Sequence, residues 1–227
     1  MGVREDQRRR TRHAILLAAA HEFERDGYES TSYQAIAARA GVMKSLVSYH
    51  FPSKNDFVRA MFDAAFREQR YPSPSMPPLP PLDDLAFTTV HSAAQEQRNP
   101  IVRAAIRLQR ESDRIPDVAI PKPFVLWLHR CERMIGVAAT RGEVPVHVDV
   151  LFEAQLLVAQ YVGLRDLAAA AGSYDTFVEQ TAIGTLDRFA AMGATHDALR
   201  SATHRTVAEM TGLHSAGVSR VAARLSS

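Results

Sequence analysis

Residues 36–51 read IAARAGVMKSLVSYHF, and the spacing of their small and apolar positions suits neither one unbroken helix nor a strand. Two short helices set at an angle fit it. A helix-turn-helix needs a small residue where its helices approach, a glycine in the tight turn, and apolar residues that lock both helices against a third. Ala37, Gly41 and the set Ile36, Val42 and Val47 meet those demands at the required offsets. Upstream, Gly27 is expected to end a long amphipathic helix, and Thr31 with Gln34 makes a capping box for the next. Downstream, Ser53 is placed to cap a fourth helix beginning at Lys54. The second helix of the motif is then the exposed one. Its Lys44, Ser45, Leu46, Ser48 and Tyr49 stand where a helix inserted into the major groove of DNA presents side chains.

The surroundings of this stretch bear on that reading. Net charge is only +2, too small to demand a polyanionic partner, but Arg4, Arg8, Arg9, Arg10 and Arg12 crowd into the start of the chain. Such a basic arm is either a solvated, frayed terminus or a strip that lies along phosphates. Thr31 and Ser32 ahead of the motif, and His50 and Lys54 after it, join the candidate DNA-contacting set.

With 227 residues and 46% hydrophobic content, the chain can fill a real core. Helical period runs through nearly all of it: Ile15, Ala19 and Phe23 form one stripe, Phe57, Met61 and Ala65 another, and no alternating β-branched run occurs. The fold class expected is all-α. Residues 71–82, YPSPSMPPLPPL, hold six of the twelve prolines and read as a stiff non-helical connector. Beyond it, helices are expected near 82–98, 100–112, 121–141, 149–171 and 174–192. The last two carry the richest apolar stripes, and a four-helix dimer seam built from them is expected.

The domain division that follows is 1–53 for a three-helix DNA-binding head and 54–70 for a connecting helix. The connector is 71–82, residues 83–193 form a helical ligand-binding and dimerisation domain, and 194–227 form a C-terminal helical extension. No apolar run is long enough to span a membrane, so the protein is expected to stay in the cytosol. The single cysteine, Cys131, permits no internal disulfide and reads as a small buried residue. Enzyme signatures such as HExxH, GxGxxG, a P-loop or GxSxG are missing, and the nine histidines are scattered without ligand spacing. Catalytic residues, metal and cofactor are accordingly expected to be none. Asp83 and Asp84 at a helix start suit the helix dipole without further purpose.

The run RRRTRHAILLAAAHEFERDGYESTSYQAIAARAGVMKSLVSYHFPSKNDFVRAMF, residues 8–62, resembles the DNA-binding domain of the TetR family of one-component repressors. The marks are F…GY…T…IA..AGV, the YHF triplet and the SK that follows. The resemblance implies a homodimer on a double-stranded DNA operator, with a variable C-terminal domain that binds a small-molecule effector. NPIVRAAIRLQRES, PKPFVLWLHRCE and RGEVPVHVDV are similar to segments of the γ-butyrolactone autoregulator receptors, and the two resemblances together cover about residues 8–192. They imply a ligand-cavity wall at Trp127. Around it the expected lining is Phe87, Val90, Phe124, Leu128 and Tyr161, with Gln109, Gln155 and Gln160 to orient a carbonyl or hydroxyl. Without the resemblance, each of these is a core or solvated residue.

Two departures stand out. Where the subfamily shows TKGALYFHF, this chain reads MKSLVSYHF, so that Met43 replaces a hydroxyl, Ser45 a glycine and Ser48 a phenol. Either the operator differs or binding is weaker. Val162 occupies a position that in the subfamily often carries threonine, which removes one polar contact to a lactone-like ligand. The function implied is a repressor released from a palindromic operator by a small lactone or furan-like molecule, its two heads entering major grooves about 34 Å apart. The alternative is a pseudo-receptor that answers to an antibiotic or to no ligand, and a small helical enzyme ranks behind both. Residues 207–221, VAEMTGLHSAGVSRV, repeat the opening pattern, and read either as a second DNA-reading unit or as a packed C-terminal extension.

Overall fold

The computed structural model describes residues 2–66, 78–212, 214 and 217–223. Its helices in chain order are α1 (Val3–Ser30), α2 (Tyr33–Ala40), α3 (Lys44–His50), α4 (Lys54–Phe66), α5 (Pro81–Arg98), α6 (Pro100–Arg110), α7 (Pro123–Thr140), α8 (Val150–Ala171), α9 (Phe177–Ala191), α10 (His196–Gly212) and α11 (Val218–Ala223). A 3-10 turn, Ser112–Arg114, follows α6, and among the described residues there is no strand. The all-α expectation holds. Among the described residues no helix is long and apolar enough to cross a membrane. The chain divides into two compact units, one of Met1–Arg70 with Asn99–Lys122, the other of Tyr71–Arg98 with Pro123–Ser227.

In the first unit α1 packs on α2, α4 and α6, and α2 packs on α3. The expected stripe of Ile15, Ala19 and Phe23 is buried there together with Ile36, Val47, Phe51, Phe57 and Met61. Phe51 and Phe57 stack with centroids 4.0 Å apart, and Phe23 and Tyr33 tilt against Phe57 at 6.1 and 5.8 Å. Burying each such ring is worth about 2–3 kcal/mol. The turn between α2 and α3 follows from Gly41, whose φ of +65° few other residues adopt; its N–H bonds Ala38 O at 3.3 Å and that of Val42 bonds Ala37 O at 3.0 Å. Ser53 and Asp56 form a reciprocal capping box: Asp56 accepts from the Ser53 N–H at 2.9 Å, and Ser53 Oγ accepts from the Asp56 N–H at 3.3 Å.

Three boundaries differ from the sequence reading. The cap of α2 is Ser32, which accepts the Ala35 N–H at 3.1 Å, and not Thr31. α1 does not stop at Gly27 but breaks there and runs one more turn to Ser30. α5 begins at Pro81, inside the expected connector, because proline is compatible with the first helical turn. Of the rest of that connector, 71–77 lies outside the described residues, as does 67–70 of the expected connecting helix.

The larger correction concerns 99–122, assigned from sequence to the C-terminal domain. Its helix α6 packs on α1 and α4 in the first unit, because its apolar face of Ile101, Val102, Ala105 and Leu108 is met there by theirs. Arg103 reinforces the contact by donating to Glu24 at 2.6 Å.

The second unit joins α5 to α7, α9 and α10, α8 to α7 and α9, and α11 to α9 and α10. Its core runs from Leu82 and Val90 through Ile135, Leu157 and Phe189 to Met210 and Val221. Asp84 accepts two bonds from Arg130 at 2.6 and 2.8 Å, and Asp83 accepts one from Ser201 at 2.8 Å, so both acids pin α5 to neighbouring helices. α10 and α11 thus pack on α5 and α9. Val221 is fully buried and Arg220 pairs with Glu179 of α9, so the described residues 207–212 and 217–221 of the repeated pattern pack within this unit. Cys131 is buried as expected, its thiol pushed up to about 12 by burial.

Candidate functional site

Two groups of side chains are set up by this architecture, one in each unit. In the first, seven residues make α3, and only Val47 of them is buried. Helical periodicity then turns Lys44, Ser45, Ser48 and Tyr49 outward, with Leu46 and His50 half-buried at the margins. Tyr49 is 63% exposed, a large value for a tyrosine that has an aromatic core next to it. The arm lies alongside: the guanidinium carbon of Arg8 is 5.6 Å from the Tyr49 ring centroid, and that of Arg12 is 4.5 Å from the Phe51 ring. Arg9 is exposed and pairs with Asp6 at 2.7 Å. Burial, and then the charges of Arg8 and Arg12, hold the His50 imidazole below its ordinary pKa, favouring the neutral ring.

Not every predicted contact stands on this face. Thr31 is 1% exposed, and its hydroxyl donates to Gly27 O at 2.7 Å, so it braces the break in α1 and has no free reach. Ser32 is spent on its cap, though it remains exposed. Lys54 donates to the carbonyls of Tyr28 at 2.9 Å and Glu29 at 2.8 Å, and its ammonium lies 5.2 Å from the Tyr28 ring. These are the orphan carbonyls at the end of α1, and Lys54 satisfies them.

In the second unit the expected lining divides. Trp127 meets Tyr161 edge-on at 4.9 Å, Phe124 meets Tyr161 at 6.5 Å, and Tyr161 meets Phe177 at 5.4 Å. Leu128 and Trp127 are partly buried against the same core, and Val90 is fully inside it. Val162 is half-buried beside Tyr161. Phe87 is buried and stacks on His91 at 5.7 Å. Two of the proposed polar residues fail to join them. Gln155 is exposed on the outside of α8, and Gln109 belongs to α6 in the other unit. Gln160 is half-buried and lies over Gly184 of α9.

The polar groups that do meet the aromatic cluster were not anticipated. Tyr161 Oη donates to Glu96 Oε2 at 3.0 Å, and burial, with the Glu96 charge, pushes the phenol well above its usual pKa. Arg165 lies with its guanidinium carbon 4.9 Å from the Phe124 ring and its Nε 3.9 Å from Glu96 Oε1. Arg165 follows the expected Tyr161 by four residues on the same helix face, which is the one signal in the sequence that could have found it.

The profile of the family described as bacterial regulatory proteins, tetR family, matches residues 15–61, from the buried half of α1 into α4. A structure from work on the control of antibiotic production by bacterial hormones is 30% identical, covering 82% of this chain and 98% of that one, with a TM-score of 0.60. The chain belongs to the TetR family.

Within the TetR family, the A-factor receptor protein of Streptomyces griseus is 28% identical over 157 residues, which make up 69% of this chain. The match spans about half the length of that relative, 54%. CprB of Streptomyces coelicolor, solved in complex with its biological operator sequence, is 26% identical, with 90% of this chain and 99% of that one covered and a TM-score of 0.74. The fold of this TetR-family chain therefore extends well past the segment that the family profile describes.

Proposed function

We propose that the protein is a ligand-responsive, DNA-binding transcriptional repressor that works as a homodimer and is released from a roughly palindromic operator by a small lactone or furan-like molecule. The observation that carries this reading is the outward face of α3, held by the single buried anchor Val47 and flanked by Arg8 and Arg12. Its shape is that of a rod for the major groove, with Lys44, Ser45, Ser48 and Tyr49 facing base edges and the arginines facing phosphates. The operator complex of CprB supports the same use of the head. Residues 1–53 are the DNA head and 54–70 the connecting helix; 83–98 and 123–193, with the extension 194–227, receive the effector and the partner subunit. The protein acts in the cytosol by binding alone, with no catalytic step.

A ligand shifts such a repressor only by binding the DNA-incompetent arrangement more tightly than the competent one. The test is a mobility shift on the DNA upstream of the protein's own coding sequence, over a range of salt, with and without culture extract. Expected are binding that weakens steeply as salt rises, loss of the shift in a Lys44→Ala/Tyr49→Ala variant, and release by extract. No binding at any salt rules the repressor out; binding that extract leaves unchanged rules out the ligand response.

A further inference from the structure

The interior of the second unit holds a cation that its own neighbours do not fully use. Arg165 on α8 is 3% exposed. Its Nε and Nη2 donate to Asp166 at 2.9 and 2.7 Å. Glu96 on α5, 1% exposed, places an oxygen 3.9 Å from that Nε. Nη1 is buried as well and meets no hydrogen-bond acceptor. Leaving a buried donor unmet costs about 1–3 kcal/mol, and more when it is charged. Such a group in a native fold calls for a partner, whether an ordered water, an ion or a ligand.

We infer that Arg165 Nη1 is the polar anchor of the effector site, and that it receives the carbonyl oxygen of a neutral, largely apolar molecule of lactone, ester or ketone type seated against Trp127 and Phe124. The inference rests on the reading of this unit as the effector-binding one.

Charge decides the class of molecule. One guanidinium already faces two carboxylates, Glu96 and Asp166. A carboxylate effector brings a third anion into a poorly screened interior, where like charges repel strongly. A carbonyl accepts the vacant N–H and adds no charge. Geometry agrees: Phe124 covers the guanidinium, and Trp127 and Phe124 both meet Tyr161, whose hydroxyl is committed to Glu96. The apolar wall and the unused donor therefore lie in one cluster. Two further buried oxygens without partners, Thr89 Oγ1 and Thr181 Oγ1, lie on the stripes that carry Glu96 and Phe177, at i−7 and i+4.

Trp127 is the chain's single tryptophan, so its emission reports on this cluster alone. The full-length protein is titrated with γ-decalactone and, separately, with decanoate, which has the same number of carbons but is anionic. The lactone is expected to change Trp127 emission saturably, and to bind about tenfold or more tighter than decanoate. Arg165→Lys keeps the positive charge beside Glu96 but removes the planar fork, and is expected to weaken the lactone about tenfold. A paired Glu96→Gln/Arg165→Gln variant removes both charges, which protects the fold from an unpaired carboxylate, and is expected to lose the lactone to the same degree. Thermal melts identify which variants are folded.

Decanoate binding as tightly as the lactone overturns the inference. So does a folded variant that binds the lactone like the wild type, as it will if a structural water satisfies Nη1, and so does a Trp127 signal that the lactone leaves unchanged up to its solubility limit. The mobility shift on the wild type without lactone tests the repressor reading by itself, so failure of the anchor and failure of that reading are told apart.

Discussion

The carboxylate of Glu111, just past α6, accepts the backbone N–H of Tyr28 at 2.7 Å across 83 positions of the chain. Tyr28 follows the break in α1 at Gly27, where φ is +78°, and a Cβ added to Gly27 would stand 2.5 Å from Glu111 Oε1. Arg107 adds bonds to the carbonyls of Glu24 at 2.7 Å and Arg25 at 3.1 Å. α6 thus supplies both donor and acceptor to a broken helix that cannot satisfy itself. Gly27→Ala combines a strained φ with displacement of the carboxylate, and is expected to cost about 2–3 kcal/mol of stability. Glu111→Gln keeps an acceptor oxygen and is expected to cost less than half of that. Denaturant melts check both, and a Gly27→Ala protein as stable as the wild type removes this role from Glu111.

Lys54 and Arg8 look alike in the sequence, as cations flanking one motif, but the structure gives them different work. Lys54 closes the carbonyl end of α1, whereas Arg8 is exposed beside Tyr49. Lys54→Met is expected to lower stability by about 1–3 kcal/mol and to leave the salt dependence of DNA binding unchanged. Arg8→Ala is expected to do the reverse, with an unchanged melt and a slope of log affinity against log salt that is shallower by about 1. A slope that falls for Lys54→Met with no change in the melt returns Lys54 to the phosphate-binding set.

Much of this was legible in the sequence because local rules agreed with one another. Gly41, Val47 and Ser53 stand at offsets that local turn and cap chemistry fixes, and the helices bounded by prolines and glycines fell within a few residues of their observed ends. What escaped was long-range. Nothing local says that the stripe of α6 is complementary to α1 and α4 and leaves the C-terminal unit, or that Lys54 reaches back to Tyr28. The same limit hid Glu96 and Arg165, a buried pair whose members lie on different helices and read singly as solvated charges. Thr31 was misjudged because a threonine before a helix suits both a cap and a brace, and Ser32 beside it took the cap.

His50 gives the DNA contact a pH dependence of known sign. In the free protein, burial and then Arg8 and Arg12 hold its pKa below the ordinary 6.5. Phosphates brought to that face favour the imidazolium and raise the pKa in the complex. Binding then takes up a proton, so affinity rises as pH falls through the window below 6.5. Between pH 7.5 and 5.5 the wild type is expected to gain about threefold or more in affinity, and His50→Gln to gain less. Fluorescence anisotropy on a labelled operator at constant ionic strength measures both, and equal profiles for the two proteins exclude His50 as the source.

The two helices expected at the dimer seam, α8 and α9, differ in what they leave exposed. Val178, Ala182, Leu186 and Phe189, the apolar stripe of α9, are buried within their own unit. α8, the other helix expected there, does expose apolar side chains, and so does α7, which packs against it: Leu126 is 68% exposed, Leu167 70% and Phe152 53%, with Val125 and Leu151 beside them in sequence. A lone soluble chain seldom leaves so many large apolar side chains in water. Leu126→Glu/Leu167→Glu alters residues that the single chain does not bury, so its melt at low concentration is expected to stay close to the wild type. Sedimentation is expected to find a monomer. Operator affinity then falls about a hundredfold or more, because each head must bind without the effective concentration that its twin supplies. A double variant that still sediments as a dimer places the seam on other helices, and one that is monomeric yet binds the full operator undiminished removes dimerisation from the mechanism.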